Sequence, residues 1–320
     1  MVYPNSIVLC IGFGGVDQSI TAWILLKARI MQNPPPERKR HPLEVPPEPP
    51  KADPQAAQRR RLTLRIAAVR PTVTYVLIAL CVGIFLLRAT SPTMDANLLD
   101  WGANGAESVL VNGQTYRLFT SMFLHQGIYD SRGDQDWSGI AHLAFNMYTL
   151  YAVGATLERL FGHARFLVVY LLGGLFGSVL SALLNGPDSI SVGASGAVFA
   201  IISAEFVYLY YHRKLMGELG RQRRNSLIVF FIMNAALGLL TTLPGSRMLI
   251  DNWAHLGGAV GGAALAWFIS PRYNLRMNPA NPGEVFAEDV NPFKNRYWVI
   301  PAYVTIMLVL VFMGVQIART

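Results

Sequence analysis

Seven apolar runs set the limits on what this chain can become. They fall at about residues 72–87, 138–156, 166–184, 192–211, 227–243, 253–270 and 298–318. Runs of this length are long enough to cross a bilayer. In hydrocarbon a backbone has no water to bond, so such runs become helices whose hydrogen bonds close internally. Composition agrees: 52% of the 320 residues are hydrophobic and 14% are charged, too apolar for an ordinary soluble protein. The expected fold class is all-α, a polytopic membrane helical bundle.

The charges orient it. Net charge is +8, and the excess lies beside the apolar runs. Arg59, Arg60, Arg61, Arg65 and Arg70 precede the first run; Arg159, His163 and Arg165 follow the second. His212, Arg213, Lys214, Arg221, Arg223 and Arg224 follow the fourth, and Arg272 and Arg276 the sixth. Basic residues stay in the cytoplasm, so the N-terminus is expected inside and spans two, four and six run from outside to inside. This pattern fits topology control, so no nucleic acid partner is expected. Cys10 and Cys81 are far apart and no HExxH pattern occurs, so neither a disulfide framework nor a metal site is expected.

Outside the spans the chain is less informative. Residues 1–30 read as a surface-associated or poorly ordered leader without the basic start of a signal peptide. Residues 31–54 hold nine prolines and few large apolar side chains, so they are expected to be disordered. Residues 1–70 together form a basic cytoplasmic region, and the loop 89–137 lies outside, where Tyr116 to Leu124 is suited to the membrane interface. A proline- and asparagine-rich linker, 271–297, leads to the last helix, 298–320.

Four polar side chains stand out against this background. His142 and Asn146 lie near the start of span two, Ser195 near the start of span four and His255 near the start of span six. With a rise of about 1.5 Å per residue, all four are expected at one shallow depth below the outer surface. Polar groups inside spans are costly unless they face the bundle interior or water. A serine hydroxyl needs a base beside it to act as a nucleophile, and an imidazole can supply one. An acyl transfer also needs donors aimed at the developing oxyanion. The Ser195 N–H at a helix start, the Asn146 amide and His142 are candidates, the last two sharing a helix face four residues apart. Asp251 is expected at the interface rather than behind His255, so the pattern points to a dyad. The bland alternative is that Ser195 only eases packing and His255 only bonds locally.

Small residues support the pairing. Gly258 and Gly262 are one turn apart after His255, and Gly196, Ala200 and Ala204 repeat the spacing after Ser195. Such stripes let membrane helices approach closely. Phe199, one turn after Ser195, is placed to stack on the imidazole or to serve as an ordinary core aromatic.

At these residues the chain resembles the rhomboid family of intramembrane serine proteases. Gly193-Ala194-Ser195-Gly196 is similar to its GxSG nucleophile motif. Ala254-His255 with Gly258 and Gly262 is similar to its AHxxGxxxG base helix, and His142 with Asn146 to its HxxxN oxyanion motif. Tyr116-Arg117 resembles the family's WR signature with tyrosine in place of tryptophan, which implies that Arg117 braces the first loop. Gly154 and Leu157-Glu158-Arg159 resemble the end of the family's second helix, which implies a structural Glu158. The resemblance covers about residues 71–270 and implies a six-helix catalytic core, with the seventh span giving a six-plus-one arrangement.

Two departures are visible. Sixteen residues separate Phe123-Leu124-His125 from His142, where the family has only a few. Phe199 stands where many members carry tyrosine. The resemblance implies a serine endopeptidase that cleaves transmembrane protein substrates among membrane lipids, without cofactor or metal. A catalytically inactive relative that binds membrane clients is the alternative. A bacterial cytoplasmic membrane, with the site open to its outer face, is the expected location.

Overall fold

The computed structural model describes residues 6–11, 62–67, 69–129, 133–240, 250–279 and 281–319. The expected disorder of residues 31–54 lies outside the described residues. The chain divides into a helical unit (67–274 and 288–320) and a smaller unit (6–66 and 275–287). The smaller unit belongs to a four-stranded sheet of β1 (Ser6–Ile11), β2 (Leu62–Ala67), β5 (Tyr273–Asn278) and β6 (Asn281–Asp289), in the order β1-β2-β6-β5. β2 runs parallel to β6, with Leu64 opposite Val285. Strands were not expected here. Yet Leu62-Thr63-Leu64-Arg65-Ile66 alternates with period two, a strand signal hidden inside a basic stretch.

The helical unit is an all-α bundle with several long apolar helices. In chain order these are α1 (Thr72–Arg88), α2 (Pro92–Gly102), a short α3 (Arg117–Thr120), α4 (Ser138–Thr149), α5 (Ala155–Phe161), α6 (His163–Leu184), α7 (Ser195–Tyr211), α8 (Arg213–Leu240), α9 (Asn252–Ile269) and α10 (Val299–Ala318). A π-turn, Leu150–Gly154, joins α4 to α5 without a break. Among the described residues, α6, α8 and the stretch Phe293–Ala318 are long and apolar enough to cross a membrane, and α1 and α7 are shorter apolar helices.

The core lies among α6, α7 and α9, and their glycines explain why. A Cβ on Gly258 of α9 would stand 1.9 Å from the Gly196 carbonyl oxygen of α7, and one on Gly262 would stand 2.2 Å from that of Ala200. A Cβ on Gly173 of α6 would stand 2.4 Å from the Ala200 methyl. Without side chains in the way, the backbones meet directly and dispersion acts over many close atom pairs.

Buried charges tie the remaining elements to this core. The Val73 and Thr74 N–H groups and the Thr74 hydroxyl all donate to the Glu158 carboxylate, at 2.9, 2.7 and 2.6 Å. A fully buried carboxylate thus satisfies the free donors at the start of α1, where the helix dipole favours negative charge. At the same end of the bundle, in the first turn of α6, Arg165 pairs with Asp289 at 2.7 Å and donates to the Asn291 carbonyl at 2.6 Å. The Asn291 amide donates in turn to the Phe268 and Ser270 carbonyls at the end of α9. This part of the expected linker is therefore hydrogen-bonded to the bundle. Tyr273, beside it, is buried enough to push its phenol up to about 12.

Candidate active site

Ser195 opens α7, and the loop before it is tightly held. Gly193 has φ of +134°, a conformation L side chains rarely adopt, and its N–H donates to the Ser121 carbonyl at 3.0 Å. Just upstream, β4 (Ile190–Ser191) pairs antiparallel with β3 (Asn104–Gly105), so the loop is stitched to the segment that follows α2. The Asn104 amide continues the stitch by donating to the Ser178 carbonyl of α6 at 2.9 Å. The Ser195 N–H belongs to the first helical turn, where it has no intrahelical acceptor.

His255 is the fourth residue of α9. The Asp251 side chain caps that helix by accepting from the Ala254 N–H at 2.8 Å, while its carbonyl accepts the His255 N–H at 3.1 Å. The same carboxylate accepts from the Ser181 hydroxyl at 2.5 Å and the Asn185 amide at 3.0 Å. Asp251 is thus committed to capping α9 and tying it to α6. The Phe199 ring lies parallel to the His255 imidazole, with centroids 4.3 Å apart and planes within 14°. Phe199 is one turn beyond Ser195, so the helix face that begins at the serine leads onto the imidazole. Among the described residues no side-chain hydrogen bond joins Ser195 to His255.

His142 and Asn146 come from α4. The Asn146 amide donates to the His142 carbonyl at 3.0 Å, within its own helix. The His142 ring meets the nucleophile loop: a Cβ on Gly193 would lie 3.2 Å from its Cε1 and Nε2. On its other side the His125 ring sits edge-on, with centroids 5.4 Å apart. The sixteen-residue separation in sequence is therefore closed in space. His125 is 1% exposed, buried beside the His142 ring. Burial, with the adjacent His142 adding to it, pushes its imidazole down to about 3.

The other expected residues stand further off. Arg117 is buried at the start of α3, where it donates to Gln114 at 2.6 Å and to the Ala103 carbonyl at 3.1 Å. Glu158 caps α1, as described above. A cavity of about 440 Å³ beside α3 is lined by Asp100, Asn104, Arg117 and Asp188, and none of Ser195, His255, His142 and Asn146 borders it. Among the described residues no His, Cys, Asp and Glu cluster is arranged to hold a metal.

Sequence reading passed over Arg88 and Asp95, which are buried together at 1% and 6% exposure. They pair at 2.9 Å, and Arg88 also donates to the His125 carbonyl. Burial raises the Asp95 pKa, while the adjacent guanidinium pulls it back. The one available signal was an arginine ending an apolar run with an aspartate seven residues on, which also reads as a plain span boundary.

Comparison with known proteins now adds to this geometry. The family model described as "Rhomboid domain" matches residues 136–272. "Rhomboid protease GluP" of Bacillus subtilis is 34% identical over 195 residues, 60% of this chain and 34% of that protein. "RHOMBOID-like protein 1" of Arabidopsis thaliana is 31% identical over 241 residues, covering 69% of this chain and 55% of its own length. "RHOMBOID-like protein 7" of the same plant is 30% identical over 244 residues, covering 73% and 70%. The chain thus spans about a third and about half of the first two of these relatives.

Proposed function

This chain belongs to the rhomboid family, and on that premise we propose that it is an intramembrane serine endopeptidase that hydrolyses peptide bonds in or near transmembrane segments of membrane proteins. The observation that carries the reading is the Phe199 ring stacked at 4.3 Å on His255, from a helix that begins at Ser195 and touches α9 backbone to backbone.

In this mechanism Ser195 attacks the scissile carbonyl and His255 takes its proton, then returns it to the leaving amine. The tetrahedral anion is stabilised by the Ser195 N–H, the Asn146 amide and His142. Phe199 holds the imidazole plane, and the Asp251 cap holds the helix that carries it. Gly193 and Gly196 admit the nucleophile loop, Gly258 and Gly262 admit α7, Arg117 braces the outer loop and Glu158 anchors α1. No metal or organic cofactor takes part. The substrate helix unwinds at its outer end, because a hydrogen-bonded helix does not present an extended peptide to the serine.

The proposed layout is a six-helix core over residues 71–270, a cytoplasmic N-terminal region over 1–70, a linker over 271–297 and a seventh membrane helix over 298–320. The N-terminus faces the cytoplasm and the site opens to the outer face, in a bacterial cytoplasmic membrane. The rival reading is an inactive relative that binds membrane clients; the presence of both Ser195 and His255 argues against it. Hydrogen bonds between nucleophile and base are often long before substrate binds, which keeps the peptidase reading ahead.

Purified protein should cleave a labelled transmembrane substrate, and Ser195→Ala or His255→Ala should lower kcat by at least about 10³-fold. Equal product from all three proteins would refute the peptidase. Several substrates left intact but bound by all three would establish the client-binding relative.

A further inference from the structure

The sixteen residues between His125 and His142 pose a geometric problem. An oxyanion donor must be held to within about 0.5 Å, and loops alone do not give that precision. Here the long excursion closes on itself before α4 begins. The Asp136 N–H donates to the Ile128 carbonyl at 2.8 Å, and Tyr129 and Gln135 form an antiparallel bridge. The Gln126 amide donates to the Ser138 hydroxyl at 2.8 Å. At the neck the backbones touch: a Cβ on Gly139 would lie 2.1 Å from the Gly127 carbonyl oxygen and 2.3 Å from that of Gln126. Gly139 stands three residues before His142, so whatever fixes residues 125–127 also fixes the start of α4.

Two buried charges do this. Arg88, at the end of α1, donates to the His125 carbonyl and pairs with Asp95 of α2 at 2.9 Å. Asp95 fills the space beside Gly127, where a Cβ would meet its Oδ1 at 2.3 Å. The His125 ring, carried on the same backbone, then lies 5.4 Å from the His142 ring, which abuts Gly193. Stability alone does not call for this pair, since well-packed apolar residues usually serve as well in place of buried ions. What apolar residues lack is direction: a guanidinium reaches one carbonyl while held by one carboxylate.

We infer that Arg88 and Asp95 are positioning residues for the oxyanion site, setting His142 through the backbone neck at His125–Gly127 and Gly139. This inference rests on the peptidase reading. It assigns no contact with substrate to either residue.

The test uses the purified chain and the double replacement Arg88→Met with Asp95→Asn, which removes both charges and changes each side-chain volume little. Four quantities are measured: kcat, KM, the melting temperature, and the affinity for a peptide aldehyde, which forms a tetrahedral adduct with a serine hydroxyl. Melting temperature and KM should stay close to the parent. Both kcat and aldehyde affinity should fall about 10-fold or more. In a His142→Ala background the same replacement should cost almost nothing further, because the two changes act on one donor. Should the double variant not fold, Arg88→Lys, which keeps the charge but loses the planar fork that reaches both the His125 carbonyl and Asp95, makes the same test.

An unchanged kcat, or effects that multiply independently with His142→Ala, would overturn the inference and leave the peptidase intact. A parent protein no more active than Ser195→Ala would instead remove the peptidase reading, and this inference with it.

Discussion

α9 and α8 both lie against α7, and they are held in opposite ways. α9 buries Ala254, Gly257, Gly258, Gly261, Gly262, Leu265, Ala266 and Ile269 over 18 residues. Its backbone is in contact with α7 and α6 along its length. α8 buries only Gly220, Leu227 and Gly238 over 28 residues. Near its start Gly217 leaves the helical conformation at φ +50°. Above that break α8 is fastened at points. Arg223 makes a two-pronged ion pair with Glu205 of α7 at 2.6 and 2.8 Å. Phe230 stacks on Phe145 of α4 within 4° of parallel, and Phe230 and Phe231 lean on Phe199. The lesson is a division of labour. The helix carrying the imidazole is locked by surfaces that tolerate no displacement. The helix beside it is held by a few contacts that can part without unfolding the bundle.

This contrast can be broken, and the largest effect is expected at its strongest point. Gly258→Val must drive α9 away from the Gly196 carbonyl. It should abolish detectable cleavage and lower the melting temperature sharply, as read by turnover and thermal unfolding. A Gly258→Val protein with near-parental kcat would show that α9 is not locked. Next in size is Arg223→Leu. It strands the buried Glu205 carboxylate, and because Arg223 is itself partly exposed the expected cost is about 1–3 kcal/mol. The double change with Glu205→Leu should recover most of that loss, which a cycle of melting measurements checks.

Phe230→Ala should be milder. It loosens the upper part of α8 while leaving Ser195 and His255 on their own helices. Stability should fall by only about 1–2 kcal/mol, with kcat/KM for a transmembrane substrate unchanged or raised a few-fold. A drop as deep as that of Gly258→Val would erase the distinction between the two helices. A further effect concerns pH. Unfolded His125 takes up a proton below about 6.5, whereas the folded residue stays neutral down to about 3. The unfolded state therefore binds more protons in that window, and stability falls as pH drops across it. Between about pH 7 and pH 4.5 the melting temperature should fall less for His125→Asn than for the parent. Equal slopes would mean that His125 is not the buried neutral group described.

Much of the bundle was legible in the chain. Most of the apolar runs mark their helices within a few residues, since hydrocarbon-length runs leave the backbone little choice, but α8 starts at Arg213, well before the run at 227–243. The small-residue stripes on α7 and α9 announced a close approach, and Gly196 and Gly258 meet where the spacing put them. Other features left no periodic trace. The Asp251 cap engages Ser181 and Asn185, about 70 positions away, through contacts that no local pattern encodes. The strands β2 and β6 pair across more than 200 residues, and a basic stretch hid their alternation.

The amino-acid order alone determined that this chain lives in a membrane, where most of its helices run, and that a serine, two histidines and an asparagine fall near the starts of three of them. Those facts depend on hydrophobic length, charge placement and helical rise, all local along the chain. Only the tertiary structure decided that Phe199 covers His255, that Asp251 is spent on a cap, and that a long excursion returns His142 to the side of His125. These depend on which backbones touch, and contact across distant segments is set by packing rather than by any spacing in the sequence.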